Sequence, residues 1–231
     1  MNENILLQKL NKYKVNEPII INKYFYEENF KNKYSLSEFN ECVRQLCLAN
    51  KLTRLTREVF YKPLIKKGQI VKIKESDIKN YFLKKGNGVV VNQSLFYEIG
   101  LSSIPSFHTK ICINKKMDKD ITINNILLTY INIDLNKKSI LFIKYLNILD
   151  SYSSIKDLNF DVFKKISKKV AKEYDDKIIN EILLRTGTTK NTIAFLTKIL
   201  EAFKVKNTLE LLLSENTKYK IPNIDFNLLK Q

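Results

Sequence analysis

The stretch from Ser35 to Pro63, S-L-S-E-F-N-E-C-V-R-Q-L-C-L-A-N-K-L-T-R-L-T-R-E-V-F-Y-K-P, constrains the fold more than any other part of the chain. Ser35 followed three residues later by Glu38 is a capping box, in which each side chain satisfies a backbone N–H left free at a helix start. The pattern predicts a helix from Leu36 to Asn50. Leu36, Phe39, Val43, Leu46 and Cys47 recur at spacings of three and four and form its inner face, leaving Ser37, Asn40, Glu41, Arg44 and Gln45 outside. After Asn50 the period changes to alternation. Leu52, Leu55, Val59 and Tyr61 stand among Thr53, Arg54, Thr56, Arg57, Glu58 and Lys62, and Pro63 ends the run.

A helix with a polar outer face followed by a basic two-stranded ribbon is the order of a winged helix-turn-helix. Two further helices are expected before it: one over residues 3 to 13, with Ile5, Leu6, Leu7 and Leu10 inward, and one over Ile19 to Phe30, with Pro18 in its first turn. In such a domain, predicted to span residues 1–67, the polar helix enters the major groove. Ser37, Asn40, Glu41 and Arg44 then face base edges: asparagine can pair with adenine, arginine with guanine, and glutamate can accept from cytosine. Arg54, Arg57 and Lys62 on the ribbon are placed to hold phosphates or reach the minor groove, which sets register rather than sequence. Arginine is scarce here. Of 40 basic residues only Arg44, Arg54, Arg57 and Arg185 are arginine, and three of the four fall in this stretch, where the planar five-donor fork does what lysine cannot.

The chain of 231 residues, 44% hydrophobic and 28% charged, is long enough to bury a core and is neither disordered nor membranous in composition. No apolar run approaches the roughly 18 residues of a membrane span, and the first residues lack the pattern of a signal peptide, so a cytoplasmic protein without membrane contact is expected. Cys42, Cys47 and Cys112 have no metal-ligand spacing and read as small core or boundary residues. The net charge of +16 points to a polyanionic partner, and it is densest before residue 75, where 15 basic residues face 7 acidic ones.

Residues 68–231 read as a second domain, a mixed α/β middle region followed by a helical C-terminal part, which makes the whole chain α+β. A strand is expected at residues 69–74, then a helix through Lys85 broken by Gly86-Asn87-Gly88, then a short helix ending before Gly100. Thr109–Asn114 and Ile121–Ile143 read as strands, with Asp134 to Lys138 as a hairpin connection, and a helical pattern resumes from Leu146 to Ile155. From Asp161 the chain is helical. Phe163, Ile166, Val170, Tyr174 and Ile178 point inward and Lys164, Lys165, Lys168, Lys169 and Lys172 outward, either as a plain solvated face or as a second phosphate-contacting surface. Another helix is expected from Thr188 to Phe203, then an irregular tail that Phe226, Leu228 and Leu229 could dock.

Catalytic signatures are missing. His108 is the one histidine, and no H-E-x-x-H, C-x-x-C, Walker or G-x-S-x-G pattern occurs. Asp118 and Asp120, two apart beside lysines, lack a third carboxylate for a metal. The reading is of a protein that is not an enzyme and uses no cofactor.

The order of segments resembles the AbiEi-type antitoxins of type IV toxin–antitoxin systems. The resemblance rests on the helix running into Leu46-Cys47-Leu48-Ala49-Asn50-Lys51-Leu52, the ribbon ending Val59-Phe60-Tyr61-Lys62-Pro63, and the stretch Asn92 to Ser103 with Tyr97, Gly100 and Leu101. It implies an autorepressor that binds an inverted repeat in the double-stranded DNA of its own promoter and counteracts a nucleotidyltransferase toxin without a stable complex. Two other readings stay open. One is a plasmid or phage replication or partition protein that binds repeated sites. The other is a winged-helix protein-interaction module, which Glu38 and Glu41 favour because they repel phosphates.

Overall fold

The first apolar turn, Leu6 and Leu10, is buried in α1 (Glu3–Leu10). β1 (Pro18–Ile20) is buried throughout, and α2 (Lys23–Asn29) begins only after it, where the Asn22 side chain accepts from the Phe25 N–H at 3.1 Å. The helix expected over Ile19–Phe30 is therefore corrected to a strand followed by a shorter helix. Three consecutive isoleucines are β-branched and favour extended backbone, and the capping side chain sits at Asn22 rather than ahead of Pro18. This computed structural model describes Met1 and residues 3–230, apart from the Lys85 side chain.

α3 (Leu36–Leu48) starts at the capping box. Glu38 N–H donates to Ser35 Oγ at 3.3 Å and Ser35 N–H to Glu38 Oε2 at 2.8 Å. Phe39, Cys42, Val43 and Leu46 are its buried residues. Leu36, expected inside, is 44% exposed, because the first helical residue precedes the turn that meets the core, and Cys42 takes the inner place instead. Asn50 (φ 54°) reverses the chain, so that the Lys51 and Leu52 amides return to the Leu46 carbonyl at 2.9 and 3.1 Å. β2 (Thr53–Arg54) and β3 (Val59–Tyr61) follow, and the sheet runs β1–β3–β2, all antiparallel, with Pro18 and Thr53 flanking Tyr61. Phe25, Phe30 and Phe39 pack with ring centroids 5.6 to 6.3 Å apart among Leu6, Leu10, Val43, Leu46 and Phe60.

β4 (Leu64–Lys66) and β5 (Gln69–Val71) form a hairpin whose two-residue turn, Lys67-Gly68, has positive φ at both positions (49° and 77°). That is the primed turn geometry that matches strand twist. α4 (Glu75–Leu83) carries Glu75 and Asp77 in its first turn and buries Ile78 and Phe82. A 3-10 turn over Lys84–Gly86 leads to β6 (Gly88–Val91), then α5 (Asn92–Glu98). β7 (Thr109–Ile113) pairs antiparallel with β6, Val90 opposite Ile111. β8 (Ile121–Ile123) and β9 (Ile126–Tyr130) form a hairpin turning at Asn124 (φ 50°) and Asn125.

α6 (Lys137–Ser151) replaces the strand expected up to Ile143 and the hairpin expected at Asp134 to Lys138. The cause is a capping box at Asn136, whose side chain accepts from the Lys138 and Ser139 amides at 2.9 and 3.0 Å while Ser139 Oγ accepts from Asn136 N–H at 2.8 Å. α6 packs against α7 (Phe160–Glu173), α8 (Asp176–Thr186) and α9 (Lys190–Ala202). Phe163 stacks on Tyr145 and Phe195, and the tail docks as expected through Phe226, 6.2 Å from Phe195, and buried Leu229. Leu228 stays 41% exposed. The inner stripe of the predicted helix from Asp161 breaks at Tyr174, because Asp175 caps α8 through the Ile178 amide.

These elements fall into two compact units. One comprises Met1–Lys84 and Lys116–Thr129, so it extends past residue 67 and takes back a later segment; the other comprises Lys85–Lys115 and the chain from Tyr130 onward. The returning segment is tied to α2: Asn22 Nδ2 donates to the Lys116 carbonyl at 3.0 Å and Tyr24 Oη to Asp118 Oδ1 at 2.6 Å. Among the described residues, no helix is long and apolar enough to cross a membrane.

Candidate nucleic-acid interface

The helical period places Ser37, Asn40, Glu41 and Arg44 on one face of α3, and all four are exposed. Each has buried neighbours on the opposite side of the helix, Phe39 and Val43 above all, which hold the polar face outward. Within that face a three-residue network forms. Arg44 Nε donates to Glu41 Oε2 at 2.8 Å, Arg44 Nη2 to Glu41 Oε1 at 2.6 Å, and Gln45 Nε2 to the same Oε1 at 2.6 Å. These bonds, the Arg44 ones first, hold the Glu41 carboxyl at about 2, well below its ordinary value. Both partners remain more than half exposed, so the pair is a weak surface clamp that a stronger acceptor can displace.

The ribbon residues divide. Arg54 is exposed on β2 and lies over the Phe60 ring at 5.2 Å, directly across the strand pair. It also lies near the end of α3, close enough to act on the Cys47 thiol, which burial pushes up. Arg57 is exposed in the short connection that the Leu55 and Thr56 amides close by donating to the Val59 carbonyl at 2.8 and 3.1 Å. Lys62 lies past the other end of β3, half-buried, with its carbonyl accepting from Asn16 N–H at 2.8 Å. Arg57 and Lys62 are therefore at opposite ends of one strand, while Arg54 sits beside the helix.

Beneath this surface Thr53 Oγ1, Thr56 Oγ1 and one Glu58 carboxylate oxygen are buried without a hydrogen-bond partner among the described residues. The β2–β3 connection thus keeps polar atoms on its inner side. Asp118 and Asp120 do not converge, since Asp118 bonds Tyr24 and pairs with Lys23 at 3.4 Å while Asp120 accepts from Thr129 at 3.0 Å. Cys42 is buried and Cys47 half-buried. The strand expected at residues 69–74 forms as β5 over Gln69–Val71, but its partner β4 was not expected; the Lys67-Gly68 pair between two short alternating runs was the signal for the hairpin.

No protein-family model matches the chain, and no curated protein matches it. Among solved structures, the crystal structure of the Rv2827c protein from Mycobacterium tuberculosis aligns over 86% of this chain and 75% of that chain, at 8% identity and a TM-score of 0.34.

Proposed function

We propose that the first unit is a winged helix that binds double-stranded DNA, and that the chain is a transcriptional autorepressor and antitoxin of the AbiEi type, acting against a nucleotidyltransferase toxin without a stable complex. The observation that carries the DNA reading is the exposed face of α3, where a hydroxyl, an amide, a carboxylate and a guanidinium stand together on a helix anchored by its own cap and followed by a short ribbon. The order α1–β1–α2–α3–β2–β3, with β3 central in its sheet, supports it. Ser37, Asn40, Glu41 and Arg44 read base edges, each good pair contributing about 1–3 kcal/mol of discrimination, and Arg54, Arg57 and Lys62 hold the backbone. The antitoxin part rests on the resemblance described above.

A footprint over the DNA upstream of the coding sequence, together with a reporter driven by that DNA, tests this reading. Protection of an inverted repeat and repression of the reporter are expected. Protection of repeated sites elsewhere turns the reading towards a replication or partition protein. One observation favours a protein-interaction module instead: Glu41 neutralises Arg44 on the reading face. Failure to retain any duplex at low salt would decide for that module.

A further inference from the structure

Between Glu58 and Glu75 the chain carries Lys62, Lys66, Lys67, Lys72 and Lys74 and no acidic residue at all. Four of these, Lys66, Lys67, Lys72 and Lys74, lie on or just beyond the β4–β5 hairpin and are exposed. Among the described residues none of the four is in an ion pair, whereas Lys23, Arg44 and Lys51 of the same unit are all paired with carboxylates. The hairpin is solvated along its whole length. From Leu64 to Val71 every residue is half or fully exposed, and Ile65 faces Ile70 across the strands with 53% and 36% of their surface in solvent. Its base is held by the Leu64 amide donating to Asn16 Oδ1 at 3.2 Å and by the Val15–Lys62 bridge.

A lone two-stranded hairpin is only marginally stable, and one that keeps β-branched residues in water gains little from its own packing. Its value lies in its shape and charge. A two-stranded ribbon fits a DNA groove, and unpaired lysines release counterions when they meet phosphates. A second copy of the chain is a poor occupant, because pairing two such ribbons sets lysines against lysines. A lipid surface is another poor one, since the hairpin has no aromatic residue and only a few aliphatic ones to insert.

Resting on the DNA-binding reading above, we infer that the β4–β5 hairpin is a second DNA-contacting arm. Lys66, Lys67, Lys72 and Lys74 grip phosphates and supply most of the sequence-independent, salt-sensitive part of binding, while α3, its guanidinium held by Glu41, supplies selectivity. The test measures affinity of the full chain against salt on two duplexes, one selected by the protein from a random pool and one scrambled. Four proteins are compared: the wild type; the variant with Lys66, Lys67, Lys72 and Lys74 all changed to Gln; a control of equal charge loss with Lys165, Lys168, Lys169 and Lys172 of α7 changed to Gln; and Arg44→Ala. Circular dichroism checks that each is folded.

The hairpin variant is expected to lose about three in the slope of log affinity against log salt, on both duplexes alike, with the ratio between them kept. The α7 control is expected to change the slope by less than one. An unchanged slope in the hairpin variant, or an equal loss in the α7 control, overturns the arm while leaving DNA binding standing. A hairpin variant unchanged on DNA but shifted from dimer to monomer in sedimentation also overturns it, and gives the ribbon to a second copy. No retention of either duplex by the wild type removes both the arm and the DNA reading.

Discussion

Glu41 and Arg44 sit one turn apart on α3, and the carboxylate takes up two of the guanidinium's donors. If that face lies against DNA, the carboxylate both repels phosphates and holds back the group that pairs with guanine. Glu41→Gln is therefore expected to tighten binding to random duplex several-fold and to steepen its salt dependence by about one, read from anisotropy titrations at several salt concentrations. An affinity left unchanged places the pair away from the duplex. A second carboxylate has a purely structural part: Asp157 accepts from Ser103 Oγ at 2.5 Å, Ser103 N–H at 2.6 Å and Ser102 Oγ at 2.7 Å, and these bonds, Ser103 first, hold it at about 2. Because the folded value is depressed, its stabilisation is complete above the ordinary 3.8 and is lost as the pH falls through about 2. Asp157→Asn is expected to lower stability at pH 7 and to differ little from wild type near pH 2, as denaturant titrations at the two pH values will report. At this scale the sequence was informative about exposure, since the helical period alone separates Ser37, Asn40, Glu41 and Arg44 from the core. It was silent on the Glu41 clamp, because a spacing of three permits an ion pair without requiring one.

Where the chain announces an element with a cap and a matching period, as at Ser35 and Glu38, the element forms where expected. Ser35→Ala removes the acceptor for the Glu38 amide and is expected to lower stability by about 1 kcal/mol in chemical denaturation, an effect absent from Leu48→Ala on the exposed end of the same helix. The two misread segments at residues 19–21 and 140–143 share a cause. Runs rich in isoleucine carry no clear period, so the choice between strand and helix falls to the cap, here Asn22 and Asn136. Ile19 and Ile20 became a strand because their cap lies after them. Ile140 and Ile143 became helical because Asn136 and Ser139 lie before them. Asn136→Ala is accordingly expected to destabilise α6 by about 1 kcal/mol, visible as a lower thermal midpoint, whereas Asn132→Ala outside the cap is expected to leave it unchanged.

For the molecule as a whole, composition gives a large positive net charge, from which a polyanionic partner is proposed, and says little of where one would bind. Of the 15 basic and 7 acidic residues before residue 75, α3 holds one basic and two acidic, so the excess lies in the ribbon, the β4–β5 hairpin and the segments before α3, and nothing in a count distinguishes paired cations from free ones. The structure makes that distinction: among the described residues the hairpin lysines have no ion pair, while Arg44 is clamped by Glu41. The return of Lys116–Thr129 to the first unit was equally hidden, since it depends on Asn22 and Tyr24 meeting residues far along the chain. The proposed function requires that the outer face of α3 read a duplex. The most direct measurement is the affinity of the full chain for a duplex it selects from a random pool and for a scrambled one, with Arg44→Ala and Arg57→Ala beside the wild type. Arg44→Ala is expected to bring the two affinities together by roughly tenfold or more, as a contact of about 1–3 kcal/mol implies, while Arg57→Ala weakens both alike. Equal losses on both duplexes from both variants, or a wild type with no preference between the duplexes, would contradict it.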